Sequence, residues 1–127
     1  MSNLWQKALE TAEEARLLLR RGHPNGAVSR AYYAAFTAAR VLLIEKAGFK
    51  RADLRRHSAV LRLFSEKFIK TGVISAELGR GLHRLFEARA SADYGEAPID
   101  SEEAAQSLEA MAAFLAAIET HLESRTT

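Results

Sequence analysis

Apolar side chains recur every three or four residues along most of the chain, which is the spacing of one face of an α-helix. Glycine and proline residues interrupt this pattern at the positions where helices would end or begin. The pattern predicts five helices, with approximate bounds 4–20, 24–46, 58–70, Ser75 to the Asp93–Gly95 region, and Asp100 to Leu122. No stretch shows the alternation expected of a half-buried strand.

The second predicted helix is apolar on nearly every side, which is typical of a helix at the centre of a bundle. The last helix carries a single apolar seam, formed by Leu108, Met111, Leu115, Ile118 and Leu122. The connections are short, so successive helices are expected to run antiparallel. We therefore expect an all-α, up-and-down bundle that forms one domain over residues 1–127.

The composition excludes several classes of site. The 127 residues include no cysteine, which rules out disulfides, thiolate metal sites and a cysteine nucleophile. The first residues have no apolar signal core, and the most apolar run, Ala31–Ile44, is short and is interrupted by Arg40. We expect a cytoplasmic protein with no membrane partner.

Charge is distributed unevenly although the net charge is only +2. Residues 46–70 contain eight lysines and arginines against two acids, whereas residues 96–127 contain seven acids and only Arg125 as a base. A basic middle segment could face phosphates. Alternatively, the two segments are solvated helix faces with complementary charge.

Signatures of metal and cofactor chemistry are absent from the sequence. There is no glycine-rich phosphate loop, and no two histidines have the one-turn spacing that places two ligands on one helix face. The four histidines, His23, His57, His83 and His121, lie in different elements. We expect no cofactor and no metal, although a metal site built from distant residues stays open.

Arg89 continues an apolar stripe. Leu78, Leu82 and Leu85 define the inward face of the fourth helix, and the next position on that face is Arg89. Since a charge on an inward face needs a partner or a cleft, we expect its guanidinium to be at least half buried. Asp93, one turn further on, could pair with it in a helix-end salt bridge. The other interpretation is an arginine that binds phosphate.

Two adjacent tyrosines form the second unusual feature. Tyr32 and Tyr33 follow Arg30 in the second helix and point about 100° apart, so both are not expected to face the same core. One hydroxyl could hydrogen-bond across an interface, or one ring could stack on a base. Simple packing with the hydroxyls at the surface is the alternative.

Four segments in this order resemble one branch of the HEPN family, which comprises prokaryotic helical proteins associated with nucleotides and RNA. They are residues 30–36 (RAYYAAF), 57–60 (HSAV), 64–72 (from Phe64 to Gly72) and 89–94 (RASADY), and the resemblance covers about residues 1–122. It implies a helical bundle that dimerises and is paired with a minimal nucleotidyltransferase in a toxin–antitoxin-like system. Other members of the family are metal-independent endoribonucleases with an Arg-x4–6-His motif late in the bundle.

The sequence departs from that motif. Arg89 matches the arginine, but residues 90–98 contain no histidine, and Tyr94 stands five positions after Arg89. Arg51 and His57 fit the spacing, but they precede the third helix. The resemblance therefore favours a homodimeric module that binds a nucleotide or RNA. The alternatives are a ribonuclease with a degenerate motif and a structural or metal-binding bundle.

Candidate residues follow from these features. Those for binding are Arg89, Asp93, Tyr94, Arg30, Tyr32 and Tyr33. Those for catalysis are Arg89, Tyr94 and His57.

Overall fold

A computed structural model describes residues 3–95 and 97–123, and five α-helices account for most of them. The helices are α1 (Asn3–Arg20), α2 (Pro24–Ala47), α3 (His57–Phe64), α4 (Ala76–Tyr94) and α5 (Ser101–Glu123). No strand occurs in these two ranges, so the predicted all-α class is confirmed. None of the helices in them has both the length and the apolar character needed to cross a membrane.

Helix α2 is the central element, as its apolar surface predicted. It contacts each of the other four helices and has more buried residues than any of them. Many of its buried positions are alanines, which allow neighbouring helices to approach closely; these are Ala27, Ala31, Ala34, Ala35, Ala38 and Ala39. The larger side chains of α2 therefore form most of the side-chain contacts with the neighbouring helices.

The third helix differs from its predicted form. A continuous α-helix was expected to Lys70, but α3 ends at Phe64 and a π-helical turn follows over Ser65–Ile69. A hydrogen bond from Lys70 N to Ser65 O closes this wider turn. Apolar spacing did not reveal the turn, because Phe64 and Phe68 are four residues apart, as in an α-helix, and both are buried.

Side-chain caps begin the last two helices. Ser75 Oγ accepts a hydrogen bond from Leu78 N at 3.2 Å, and Asp100 Oδ1 accepts one from Glu103 N at 2.8 Å. Both caps were predicted from the sequence.

Two of the charged residues counted in the segment 96–127, Glu96 and Arg125, lie outside the described residues.

The connection between α2 and α3 brings the start of α3 against α2. A 3₁₀ turn, Arg51–Leu54, contacts both helices, and its Leu54 is completely buried. Burial of Leu54 fixes the path of the chain just before His57, the first residue of α3. His57 therefore comes to lie over the side chains of α2.

Candidate functional site

Side chains from three helices meet in one group, which we call the Arg89 cluster: Tyr32, Tyr33 and Phe36 of α2, His57 of α3, and Phe86 and Arg89 of α4. The three rings of α2 contact the imidazole, the two tyrosines among them contact the guanidinium, and Phe86 packs on Tyr32. Ring centroids of neighbours within the cluster lie 4.2–5.7 Å apart. The cluster joins residues that are far apart in sequence.

The Arg89 guanidinium is mostly buried and has two partners. Nη2 donates a 2.8 Å hydrogen bond to the Tyr33 hydroxyl, and Nε lies 3.2 Å from Asp93 Oδ2. The Arg89 side chain is only 15% exposed, as its place on the apolar stripe predicted. The Nε contact is an ion pair without the alignment of a hydrogen bond, so this buried N–H has no acceptor. The hydrogen bond that Arg89 donates to Tyr33 is the largest cause of the raised pKa of Arg89.

Three tyrosine rings surround the same guanidinium. Arg89 Cζ lies 5.6 Å from the ring centre of Tyr32, 5.4 Å from that of Tyr33 and 5.8 Å from that of Tyr94. Such distances are within the range of cation–π attraction. Arg89 is thus a fixed positive charge held in place by rings and by one hydroxyl.

His57 is held between Phe36 and Tyr32. Its ring is stacked on Phe36 with centroids 4.2 Å apart, and its Nδ1 lies 2.9 Å from the Tyr32 hydroxyl. Burial, and then the positive charges of Arg89 and Arg40, lower the pKa of His57 below its ordinary value of 6.5. The imidazole is therefore neutral at pH 7, and a neutral imidazole can accept a proton.

Tyr32 and Tyr33 have different roles in the cluster. Tyr32 is completely buried, and burial raises the pKa of its hydroxyl, which remains protonated. Tyr33 is only partly buried and places its hydroxyl on Arg89. The two rings meet edge to face with centroids 5.3 Å apart. One hydroxyl therefore orients His57 and the other orients Arg89.

The remaining candidates from the sequence lie in different places. Asp93 and Tyr94 border the cluster on the Arg89 side, and Tyr94 is 77% exposed. Arg30 forms an ion pair with a residue outside the cluster. It lies 3.7 Å from Glu14 of α1, and both side chains are more than half exposed.

Arg40 is a residue that the sequence analysis did not select. It lies one turn after Phe36 on α2, with its Cζ 5.9 Å from that ring. Its Nε is buried and has no hydrogen-bond acceptor. Burial, and then the charge of Arg51, lower the pKa of Arg40. The one signal in the sequence was that Arg40 interrupts the most apolar stretch of the chain.

Two further observations concern metal binding and cavities in the described residues. No group of three histidine or acidic side chains that could hold a metal ion occurs within residues 3–95 and 97–123. An apolar cavity of about 510 Å³, lined in part by Leu61, Phe64 and Leu82, lies elsewhere, between the end of α3 and α4. The chemistry available at the Arg89 cluster is that of a fixed cation, a neutral imidazole and phenol hydroxyls, a combination suited to an anionic ligand.

Fold and cluster together describe an all-helical protein with an arginine–histidine site between helices. The chain belongs to the HEPN domain family, whose sequence profile matches residues 1–121. It is 36% identical to a UPF0332 protein of Thermotoga maritima over 119 residues, covering 93% of this chain and 87% of the relative. It is 32% identical over 94 residues to a protein of Methanocaldococcus jannaschii named as a candidate toxin, covering 74% and 61%.

Another M. jannaschii protein named in the same way is 33% identical over 103 residues, covering 78% of this chain and 74% of the relative. The resemblance seen in the four short sequence segments is confirmed by these matches.

Proposed function

We propose that the protein is a toxin-like HEPN module that binds RNA or a nucleotide through a phosphate held at Arg89. One observation carries this proposal: Arg89 and His57, which are 32 positions apart in the sequence, lie on the same aromatic cluster, close enough for the arginine to affect the pKa of the histidine. The Arg89 guanidinium is mostly buried and its Nε, 3.2 Å from Asp93 Oδ2, makes no aligned hydrogen bond, so it is suited to bind a phosphate oxygen.

The toxin-like assignment comes from the relatives. Two proteins that match most of this chain are named as candidate toxins, and the family resemblance implies a toxin–antitoxin-like system. We extend the proposal to a homodimer that pairs with a minimal nucleotidyltransferase. Light scattering should give twice the monomer mass, and a monomer at high micromolar concentration would contradict the dimer.

A metal-independent endoribonuclease is the second candidate, and the position of His57 favours it. If Nδ1–H donates to the Tyr32 hydroxyl oxygen, Nε2 of the neutral imidazole could accept the proton of a ribose 2′-hydroxyl while that oxygen attacks the adjacent phosphorus atom. The bond from phosphorus to the 5′-oxygen would break, the 5′-oxygen would take a proton from water, and a 2′,3′-cyclic phosphate would remain. Arg89 would stabilise the negative charge that develops on the phosphate. The usual histidine after the arginine is absent, so His57 would replace it.

Binding and cleavage of a short single-stranded RNA, measured in the presence of EDTA, distinguish these candidates. Arg89→Gln should weaken binding by roughly 10- to 100-fold, because one charge-assisted hydrogen bond contributes roughly 1.5–3 kcal/mol. Arg16→Gln is the matched control, since Arg16 is a partly exposed α1 residue paired with Glu13. Equal effects of the two substitutions would contradict the proposed site.

Cleavage decides between the binding module and the enzyme. The binding module requires RNA to remain intact with the wild-type protein. Cleavage that is lost in both Arg89→Gln and His57→Gln would establish the endoribonuclease. Thermal melts of each variant verify that the fold has been retained.

A further inference from the structure

Two buried side-chain nitrogen atoms in the described part of the chain have no hydrogen-bond acceptor, and both belong to arginines near His57. They are Arg89 Nε and Arg40 Nε. Arg89 Nε nevertheless has the Asp93 carboxylate at 3.2 Å, whereas Arg40 forms no ion pair with a carboxylate of the described residues. A buried donor without an acceptor is costly, so Arg40 Nε marks a position where an acceptor is missing.

The two arginines flank a continuous row of rings. The guanidinium of Arg89 lies over Tyr33, and that of Arg40 lies over Phe36, at Cζ–centroid distances of 5.4 Å and 5.9 Å. His57 lies between them, with its ring centroid 5.7 Å from that of Tyr33 and 4.2 Å from that of Phe36. Tyr33 and Arg40 are seven residues apart on α2, a rise of roughly 10 Å.

The surroundings of Arg40 are positively charged. Arg51 lies in the 3₁₀ turn that packs against α2, where it lines a small cavity with Val41, the residue after Arg40, and with Glu45. The charge of Arg51 lowers the pKa of Arg40. Neither Arg40 nor Arg51 forms an ion pair with any carboxylate among residues 3–95 and 97–123. Two cations that lie close together, with no carboxylate in an ion pair with either of them, favour an anion between them.

We infer that Arg40 and Arg51 form a second phosphate subsite on the far side of His57 from Arg89. The site then takes a single-stranded nucleic acid with two phosphates, one on each side of His57, in preference to a mononucleotide. This inference rests on the proposed function, because it assigns the first phosphate to Arg89. A carboxylate from a second copy of the chain is the other acceptor that could satisfy Arg40, but Arg51 and Arg89 add further positive charge that suits a polyanion.

The test compares two probes, adenosine 5′-monophosphate and a 2′-O-methyl hexaribonucleotide that cannot form a cyclic phosphate. Arg89→Gln should weaken binding of both probes. Arg40→Gln should weaken the hexamer by about tenfold and leave the mononucleotide within about twofold, since it removes one charged contact to phosphate. The slope of log K against log salt for the hexamer should fall by about 0.7. Arg16→Gln, the same change of charge on α1, is the control.

A second variant keeps the test decisive if Arg40→Gln fails to fold. Arg51 is exposed, so Arg51→Gln should leave folding unchanged. It should weaken the hexamer by about threefold, with no effect on the mononucleotide, because it removes only one exposed charge.

Several outcomes would overturn the second subsite. Equal weakening of both probes by Arg40→Gln would place Arg40 at the same phosphate as Arg89. If only Arg89→Gln weakens the hexamer, the proposed function stands and the second subsite is wrong. Absence of hexamer binding by the wild-type protein contradicts both. A variant Arg40→Gln that loses the dimer but keeps its RNA affinity would assign Arg40 to the partner copy.

Discussion

The hydroxyl of Tyr33 accepts a 2.8 Å hydrogen bond from Arg89 Nη2, although the two residues are 56 positions apart in sequence. This contact connects α2 to α4 at the proposed site. Arg89 Nε lies 3.2 Å from Asp93 Oδ2. The hydrogen bond and the ion pair together therefore fix the orientation of the guanidinium.

Tyr33→Phe tests that contact directly. The substitution removes the hydroxyl and keeps the ring, so we expect a loss of roughly 1.5 kcal/mol in the free energy of unfolding, the value of a hydrogen bond to a charged group. Urea denaturation measures it. Tyr94→Phe is the matched control, because Tyr94 is 77% exposed, and its effect should stay within about 0.5 kcal/mol. Equal effects would show that the Tyr33 hydroxyl does not stabilise the fold.

The lowered pKa of His57 predicts how stability depends on pH. Below pH 6.5 the unfolded chain binds a proton at this residue more readily than the folded chain, so stability should fall as the pH decreases through 6.5 toward the folded-state pKa. Above pH 6.5 this contribution is complete and constant. Urea denaturation from about pH 5 to about pH 8 should show the decline in the wild-type protein. The decline should be smaller in His57→Gln, and an unchanged profile in that variant would refute the assignment.

The pKa of His57 also depends on the positive charge of Arg89. Removing the positive charge in Arg89→Gln should raise the pKa of His57 toward its ordinary value, since that charge is the largest cause after burial. An NMR titration of the imidazole C–H resonance measures this change. A His57 pKa that does not move would separate the two residues and remove the observation that carries the proposed function.

Asp100 is predicted to stabilise the start of α5. Its carboxylate accepts a hydrogen bond from Glu103 N at 2.8 Å, so Asp100→Ala should cost about 1 kcal/mol. Asp100→Ser keeps an acceptor at the same position and should recover most of this loss. Urea denaturation of the two variants provides the measurement, and equal losses would mean that the cap contributes nothing.

Periodicity predicted the helices and the burial of Arg89 because both depend on neighbours in the same helix. Leu82 and Leu85 direct one face of α4 inward, and Arg89 must follow on that face. The contact between Tyr32 and His57 depends instead on how α3 lies across α2. Nothing in the spacing of residues 25 positions apart indicates it.

The sequence also did not predict the partner of Arg30 or the burial of Phe114, because both depend on how the helices pack. Arg30 lies in the same short segment as the two tyrosines, yet it reaches Glu14 because α1 lies on that side of α2. Phe114 is buried against Phe64, with ring centroids 5.3 Å apart, but it fell outside the predicted seam of α5. Helix α5 buries a wider face than a strict seam, since it packs against α1, α2 and α4 together.

Trp5, the only tryptophan of the chain, is 2% exposed in α1, whereas the three tyrosines all lie in or beside the Arg89 cluster. The two kinds of chromophore thus lie on different helices, Trp5 on α1 and the tyrosines on α2 and α4. Emission excited at the red edge of the absorption band comes from Trp5 and reports the integrity of the core. Tyrosine absorbance reports the site. A single unmodified sample can therefore give separate optical signals for unfolding and for ligand binding, without an attached dye.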